Sequence, residues 1–262
     1  MKRILYNEEN VRKMVKTMND LYGNGKGRYR EPTTKVGVFL QIWTSNALKM
    51  IPMSIMYCLL RILLIPGGLA VAGITDAAGD LVRRQHYYGV REGLATIKKC
   101  WKKALIIGIL DVFVTLILLL AGWFYLSADG YFGAIGLGCF AIMMVTYSFM
   151  KYYIWPQVVL CDLPLTTIYK NAFIFAFINL GKNLLIGIIS LACYVAAILL
   201  LIYVPYIFTL AIVLVVAICF FPSFKHLLVQ YCVFPCIKER MVDPYYLENP
   251  NADQEERKRL GL

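Results

Sequence analysis

The chain has 262 residues, 60% of them in the apolar AVILMFWYC set and only 16% charged, with a mean hydropathy of +0.63. A soluble domain carries roughly 45–50% apolar and about 25% charged residues, so a soluble enzyme and a disordered or fibrous chain are both excluded. The net charge is +11, from 27 Lys and Arg against 16 Asp and Glu, and the basic residues gather between apolar stretches. There they set orientation and meet anionic headgroups, so membrane lipid is the expected contact and nucleic acid is not.

Residues 1–35 read as a basic cytoplasmic tail with nine Lys and Arg, a short helix over 8–21 and a loose Gly-Asn-Gly-Lys-Gly linker at 23–27. Residues 36–49 are expected to form an amphipathic interfacial helix that leads into a first span at 50–65. Pro66-Gly67-Gly68 should end that span, because proline breaks the hydrogen-bond ladder and glycine frees the backbone to turn. Residues 67–82 follow, with Asp76 and Asp80. Sixteen residues reach about 24 Å as a helix, short of a hydrocarbon core of about 30 Å. This segment is either a short span or a re-entrant piece. Gly68, Ala72, Thr75 and Gly79 share one face and would admit a close neighbour, unless they simply fill a loop.

Residues 83–103 form a basic connection with seven Lys and Arg. Four clear spans come next, at 104–126, 132–153, 184–203 and 206–228, paired by turns at Ser127-Ala128-Asp129-Gly130 and Val204-Pro205. Between the pairs, Asp162-Leu163-Pro164 reads as the start of an amphipathic helix over 165–180, with Lys170 and Asn171 on its polar edge as a candidate docking element. Trp123, Tyr125, Tyr152, Tyr153 and Trp155 read as interfacial anchors. From Pro235 the chain turns polar and ends in a charge run at 254–259.

The basic segments, with nine, seven, three (Lys151 to Lys182) and six (Lys225 onward) Lys and Arg, belong together on the cytoplasmic side. The expected architecture is an all-α polytopic membrane protein, N-in and C-in, with about five full spans plus the short second embedded helix, six in all. The expected division is a tail at 1–35, a membrane domain at 36–234 and a cytoplasmic tail at 235–262.

Several motifs recur in an order that resembles one family. They are Trp43-Thr44-Ser45-Asn46-Ala47, Ile65-Pro66-Gly67-Gly68-Leu69-Ala70, Leu81-Val82-Arg83-Arg84, Lys99-Cys100-Trp101-Lys102-Lys103, Asp162-Leu163-Pro164, Tyr169-Lys170-Asn171-Ala172-Phe173 and Lys182-Asn183-Leu184-Leu185. Over roughly residues 35–245 the chain resembles the YesL-like family of bacterial integral membrane proteins, with Asp76 where that family more typically has an uncharged residue. The resemblance implies a multi-pass protein of the bacterial cytoplasmic membrane with an accessory role beside carbohydrate ABC transport. It carries over no catalytic residues.

The motifs of common chemistry are missing. No P-loop, H-E-x-x-H or G-x-S-x-G is present, nor the permease loop that docks an ATPase, so no catalytic residue and no cofactor is expected. The eight cysteines hold no C-x-x-C pair and read as small apolar side chains, with His86 and His226 too few to complete a zinc site. The informative groups are the ionisable ones inside apolar stretches, Arg61, Asp76, Asp80 and Asp111, because a charge in lipid costs several kcal/mol unless paired or hydrated. Arg61 and Asp76 are expected to pair across the Pro66 hairpin, the competing expectation being hydration near the outer headgroups. Asp111 stands alone in its span and is expected to bond a neighbouring helix, contact a partner subunit or line an ion path. The function expected is a non-enzymatic accessory or scaffold subunit of a carbohydrate ABC transport system, bound to its permease subunits. A small stand-alone transporter or channel is the alternative.

Overall fold

In the computed structural model the described residues are 34–64, 66–83, 90–204 and 206–248. They form α1 (Lys35–Ile62), α2 (Gly67–Val82), α3 (Val90–Ser127), α4 (Gly130–Leu160), α5 (Leu165–Ile178), α6 (Leu180–Tyr203), α7 (Ile207–Val215), α8 (Phe221–Ile237) and α9 (Asp243–Glu248), with π-turns at Val216–Phe220 and Lys238–Val242. The expected helix over 8–21, the glycine linker, Pro205 and the charge run at 254–259 lie outside the described residues. The chain divides into two compact units, residues 1–38 and 39–262. Of the first, the start of α1 is described, where Thr34 Oγ1 accepts a hydrogen bond from the Gly37 amide at 3.2 Å, a helix N-cap. Everything below concerns the second unit.

Among the described residues, four helices are long and apolar enough to cross a membrane: α3, α4, α6 and the continuous Ile207–Leu247. Only 11 to 28% of each apolar window is buried inside the protein, so the remaining Leu, Ile and Phe side chains face outward. Such a surface suits hydrocarbon and not water. The described residues thus make an all-helical fold of membrane type.

At the centre lies α2, a short apolar helix. Of its sixteen residues, all but Leu69 and Val82 are buried, packed against α3, α4 and α8. It runs antiparallel along the first half of α3: Gly68 meets Ala104 and Gly108, and Asp76 meets Thr96. A small-residue face was expected to admit one neighbour; the helix is instead enclosed on all sides. Ala, Gly and Thr at most of its positions permit this, since they let three backbones approach.

The glycines after Pro66 do a different job from the one expected. The turn between α1 and α2 places Leu64 at φ 57°, while Gly67 and Gly68 already belong to the first turn of α2. A Cβ on Gly68 would lie 2.2 Å from the Ala104 carbonyl oxygen and 2.8 Å from Gly108 Cα. Gly68 is therefore a packing glycine, not a hinge.

Other boundaries also move. The interfacial helix and first span merge into one helix, α1, with Pro52 inside it. Residues 90–103, expected as a connection, are the helical first third of α3. Beyond residue 234, Cys236, Ile237, Val242 and Tyr246 join the same apolar core, and the helix runs through Pro235 to Glu248. One lost backbone bond at a proline is outweighed where an apolar stripe continues beyond it.

Gly68→Ala should lower the melting temperature of the purified protein in detergent by several degrees, because backbone must move to admit one methyl group. Gly138→Ala, with nothing within 4 Å of its Cβ position, should leave it unchanged or raise it through helix propensity, about 1 kcal/mol at most.

Candidate functional site

Asp111 is the centre of the site. It stands eight residues, about 12 Å, beyond Lys103 into the apolar part of α3, with 5% of its side chain exposed. A carboxylate at that depth needs donors, and three converge on it. Tyr147 of α4 donates its hydroxyl to Oδ1 at 2.9 Å, and Lys151, one turn along the same helix, brings Nζ to 2.6 Å from that oxygen. Arg61 Nη2, from the end of α1, lies 3.4 Å from Oδ2 and donates to it. Lys151 also donates to Thr115 Oγ1 at 3.4 Å and stands 4.7 Å from the centre of the Tyr147 ring. Three helices are thus tied at one carboxylate, by charge-assisted hydrogen bonds that are strong away from water.

Asp111 lines one wall of a chamber of about 370 Å³. Arg61, Lys151 and, from α8, Lys225 line it too, with Tyr57, Ser190 and Tyr194 among its hydroxyl-bearing walls. The local shape of α8 begins at Pro222, which has no N–H to offer the Ile218 carbonyl four residues before it; Cys58 Sγ donates to that carbonyl instead, at 3.7 Å. The π-turn at Val216–Phe220 precedes the proline, a form of helix found often beside functional sites. Below it, His226 Nδ1 lies 3.2 Å from Thr75 Oγ1, and Gln230 donates Nε2 to the Thr75 carbonyl at 2.9 Å, which fastens α8 to α2.

The expected Arg61–Asp76 pair is not the one the fold makes. Asp76 is engaged by Arg83, whose Nη2 lies 3.7 Å from Oδ1, and by the hydroxyl of Thr96, which donates to Oδ2. Arg83 also pairs with Asp80, and its side chain is only 1% exposed. The reason is direction. Asp76 faces Thr96 on α3, while Arg61 leans toward the next carboxylate along α3, Asp111. Repulsion between Asp76 and Asp80, one turn apart, is offset by the guanidinium that both reach.

On α5, Lys170 is exposed and Asn171 half-buried, while Ile168, Ala172, Phe175 and Ala176 pack inward. Phe173 is 49% exposed and packs its ring on exposed Phe177, with centroids 4.9 Å apart. The outer face of α5 is therefore apolar over its second half. Near its start, Lys103 hydrogen-bonds Asp162 and holds that exposed carboxyl below the ordinary carboxylate range.

No family model, curated protein or solved structure matches the chain.

Lys151, Lys225 and Arg83 are the residues that sequence reasoning missed as site residues. Each stood at the edge of an apolar stretch and was counted among the basic connections. A signal did exist for Lys151: it lies nine residues before the end of α4, with Tyr147 one turn earlier. Without knowing where α4 ends, a lysine there cannot be told from a headgroup anchor.

Asp111→Leu leaves half-buried Lys151 without its carboxylate and should destabilise the protein in denaturation experiments in detergent, by about 3 kcal/mol at most. Lys151→Met in that background should recover much of the loss, so the double variant falls well short of the summed singles. Arg61→Leu and Asp76→Leu should instead add to within about 0.5 kcal/mol, as independent sites do.

Proposed function

We propose that the chain is a non-enzymatic, multi-pass membrane protein that binds a polar ligand in the chamber and serves as an accessory subunit of a transport system. The observation that carries this reading is the chamber itself, a polar space walled by helices whose outer faces are apolar. Ionisable groups are costly inside a membrane domain and mark ligand or ion paths there. Ligand sites of helical bundles lie between facing helices, with a few polar groups that orient the guest. The lining of cations, hydroxyls and aromatic rings is suited to holding a ligand in place.

The setting follows the resemblance to YesL-like proteins. It supports a setting in a bacterial cytoplasmic membrane beside the permease subunits of a carbohydrate ABC system, with Lys170 and Asn171 of α5 proposed at the cytoplasmic end for docking. A second reading, a small stand-alone transporter or channel, is favoured by the same chamber, because α1, α4, α6 and α8 all contribute to its walls.

The proposed orientation keeps both termini inside, with the turn at residues 127–130 outside. For the first two helices, the antiparallel run of α2 beside only the first half of α3 supports a re-entrant pair entering and leaving on the cytoplasmic side. Single cysteines tested in intact cells with an impermeant reagent should be labelled at Asp129 and Val204, and not at Lys99 or Leu64. External labelling at Lys99 sinks the orientation, and labelling at Leu64 alone would make α1 and α2 two full spans.

The functional reading is tested by affinity purification in mild detergent. Recovery of permease subunits with the wild-type chain, and reduced recovery with Lys170→Glu at equal yield of the protein itself, is the expected result. A chain that always runs alone, yet moves solute into proteoliposomes, would replace the accessory role by the stand-alone one.

A further inference from the structure

We propose that the ligand of the chamber is an anion carrying a phosphoryl group, either a phosphate ester in solution or the headgroup of a phospholipid. The inference rests on the binding reading above and names its substrate class. The argument is a charge count at short range. Arg61, Lys151 and Lys225 line the chamber, and among the described residues Asp111 is the one carboxylate that lines it with them. Arg61 and Lys151 share that carboxylate, one on each oxygen. Lys225 makes no hydrogen bond or ion pair with any described residue.

Three cations against one anion leave the chamber short of two negative charges, in a domain whose outer surface is apolar. An uncompensated charge away from water is the expensive state, and a guest that supplies the missing charge removes that cost. A phosphoryl dianion carries two charges on three oxygens. It can meet the forked guanidinium of Arg61 and the point charges of two lysines at once. Ser190 and Tyr194, on α6, line the chamber as hydroxyl donors for the remaining oxygens. The volume of about 370 Å³ leaves space beyond the phosphoryl group for a small organic part, against the rings of Tyr57 and Trp155. A neutral sugar would leave the excess charge in place, and a divalent metal ion would add to it.

Lys225 is the residue to vary, because it forms no internal bond whose loss would unfold the protein. The purified chain is heated in detergent with glycerol 3-phosphate, with glucose and with sodium chloride at matched ionic strength. In parallel, native mass spectrometry reads which lipids stay bound after purification from phospholipid-containing membranes. The expected result is a melting temperature raised by glycerol 3-phosphate, or a retained anionic phospholipid, and by neither glucose nor chloride. The first outcome identifies a soluble ester as the source and the second a headgroup. Lys225→Met should weaken binding of that species about tenfold or more, the effect of one lost charge-assisted contact. Lys225→Arg should retain it, and Lys170→Met on the outer face of α5 should leave it unchanged. Elution of each variant at the wild-type volume shows that it is folded. Stabilisation by glucose alone overturns the anion while keeping the binding reading. No stabilisation by any solute, together with no retained lipid, overturns both. A Lys225→Met variant that binds like wild type also overturns the proposal.

Discussion

The fold depends on how a short helix with two carboxylates is kept out of lipid. Sixteen residues reach about 24 Å, short of a hydrocarbon core of about 30 Å, and Asp76 and Asp80 could not face it. Both problems have one solution: α2 is enclosed by α3, α4 and α8, and its charges are met inside the protein by Arg83 and Thr96. Enclosure in turn demands small residues, and Gly68 against the backbone of α3 is where that demand is most acute. The longer helices then arrange themselves around α2, with their apolar faces outward.

The same enclosure creates the chamber. Because α2 occupies the centre alongside only the first half of α3, Asp111 on α3 lies beyond its N-terminal end. The chamber beside it is walled by α1, α4, α6 and α8, with Val71 and Thr75 of α2 along its floor. Charged residues from three of those helices meet Asp111 or the space beside it. A structural tie and a binding chamber therefore share one carboxylate. Asp111 holds Arg61 and Lys151 in position, and Lys225 completes a cationic wall that the internal acid only partly balances. This arrangement links the stability of the bundle to whatever fills the chamber, since a ligand that binds only the folded state stabilises it by mass action.

The distribution of basic residues serves two purposes that look alike in one dimension. Lys98, Lys99, Lys102 and Lys103 lie on the first third of α3, before its apolar part, where positive charge orients the chain and meets headgroups. Lys151 and Lys225 stand at comparable places near the ends of apolar runs, yet the helices carry them inward. The difference lies in which way each helix faces and how far it continues past the apolar stretch.

Composition and periodicity alone settled the helical membrane class, the hairpin turn at Asp129-Gly130 and the start of α5 after Pro164. Each of these rests on local physics, namely lipid transfer, a left-handed glycine at φ 73° and a proline that cannot continue a preceding helix. Asp111 was also legible as a group needing a neighbour, because its cost in an apolar run is local too. Its partners were not. Pairing of Arg61 with Asp111 and not Asp76 depends on which faces of α1, α2 and α3 meet. The inward course of Lys151 and Lys225, and the enclosure of α2, depend on the same thing. Those faces are chosen by packing between residues of different helices, far apart in sequence, and no spacing within a single helix encodes that choice.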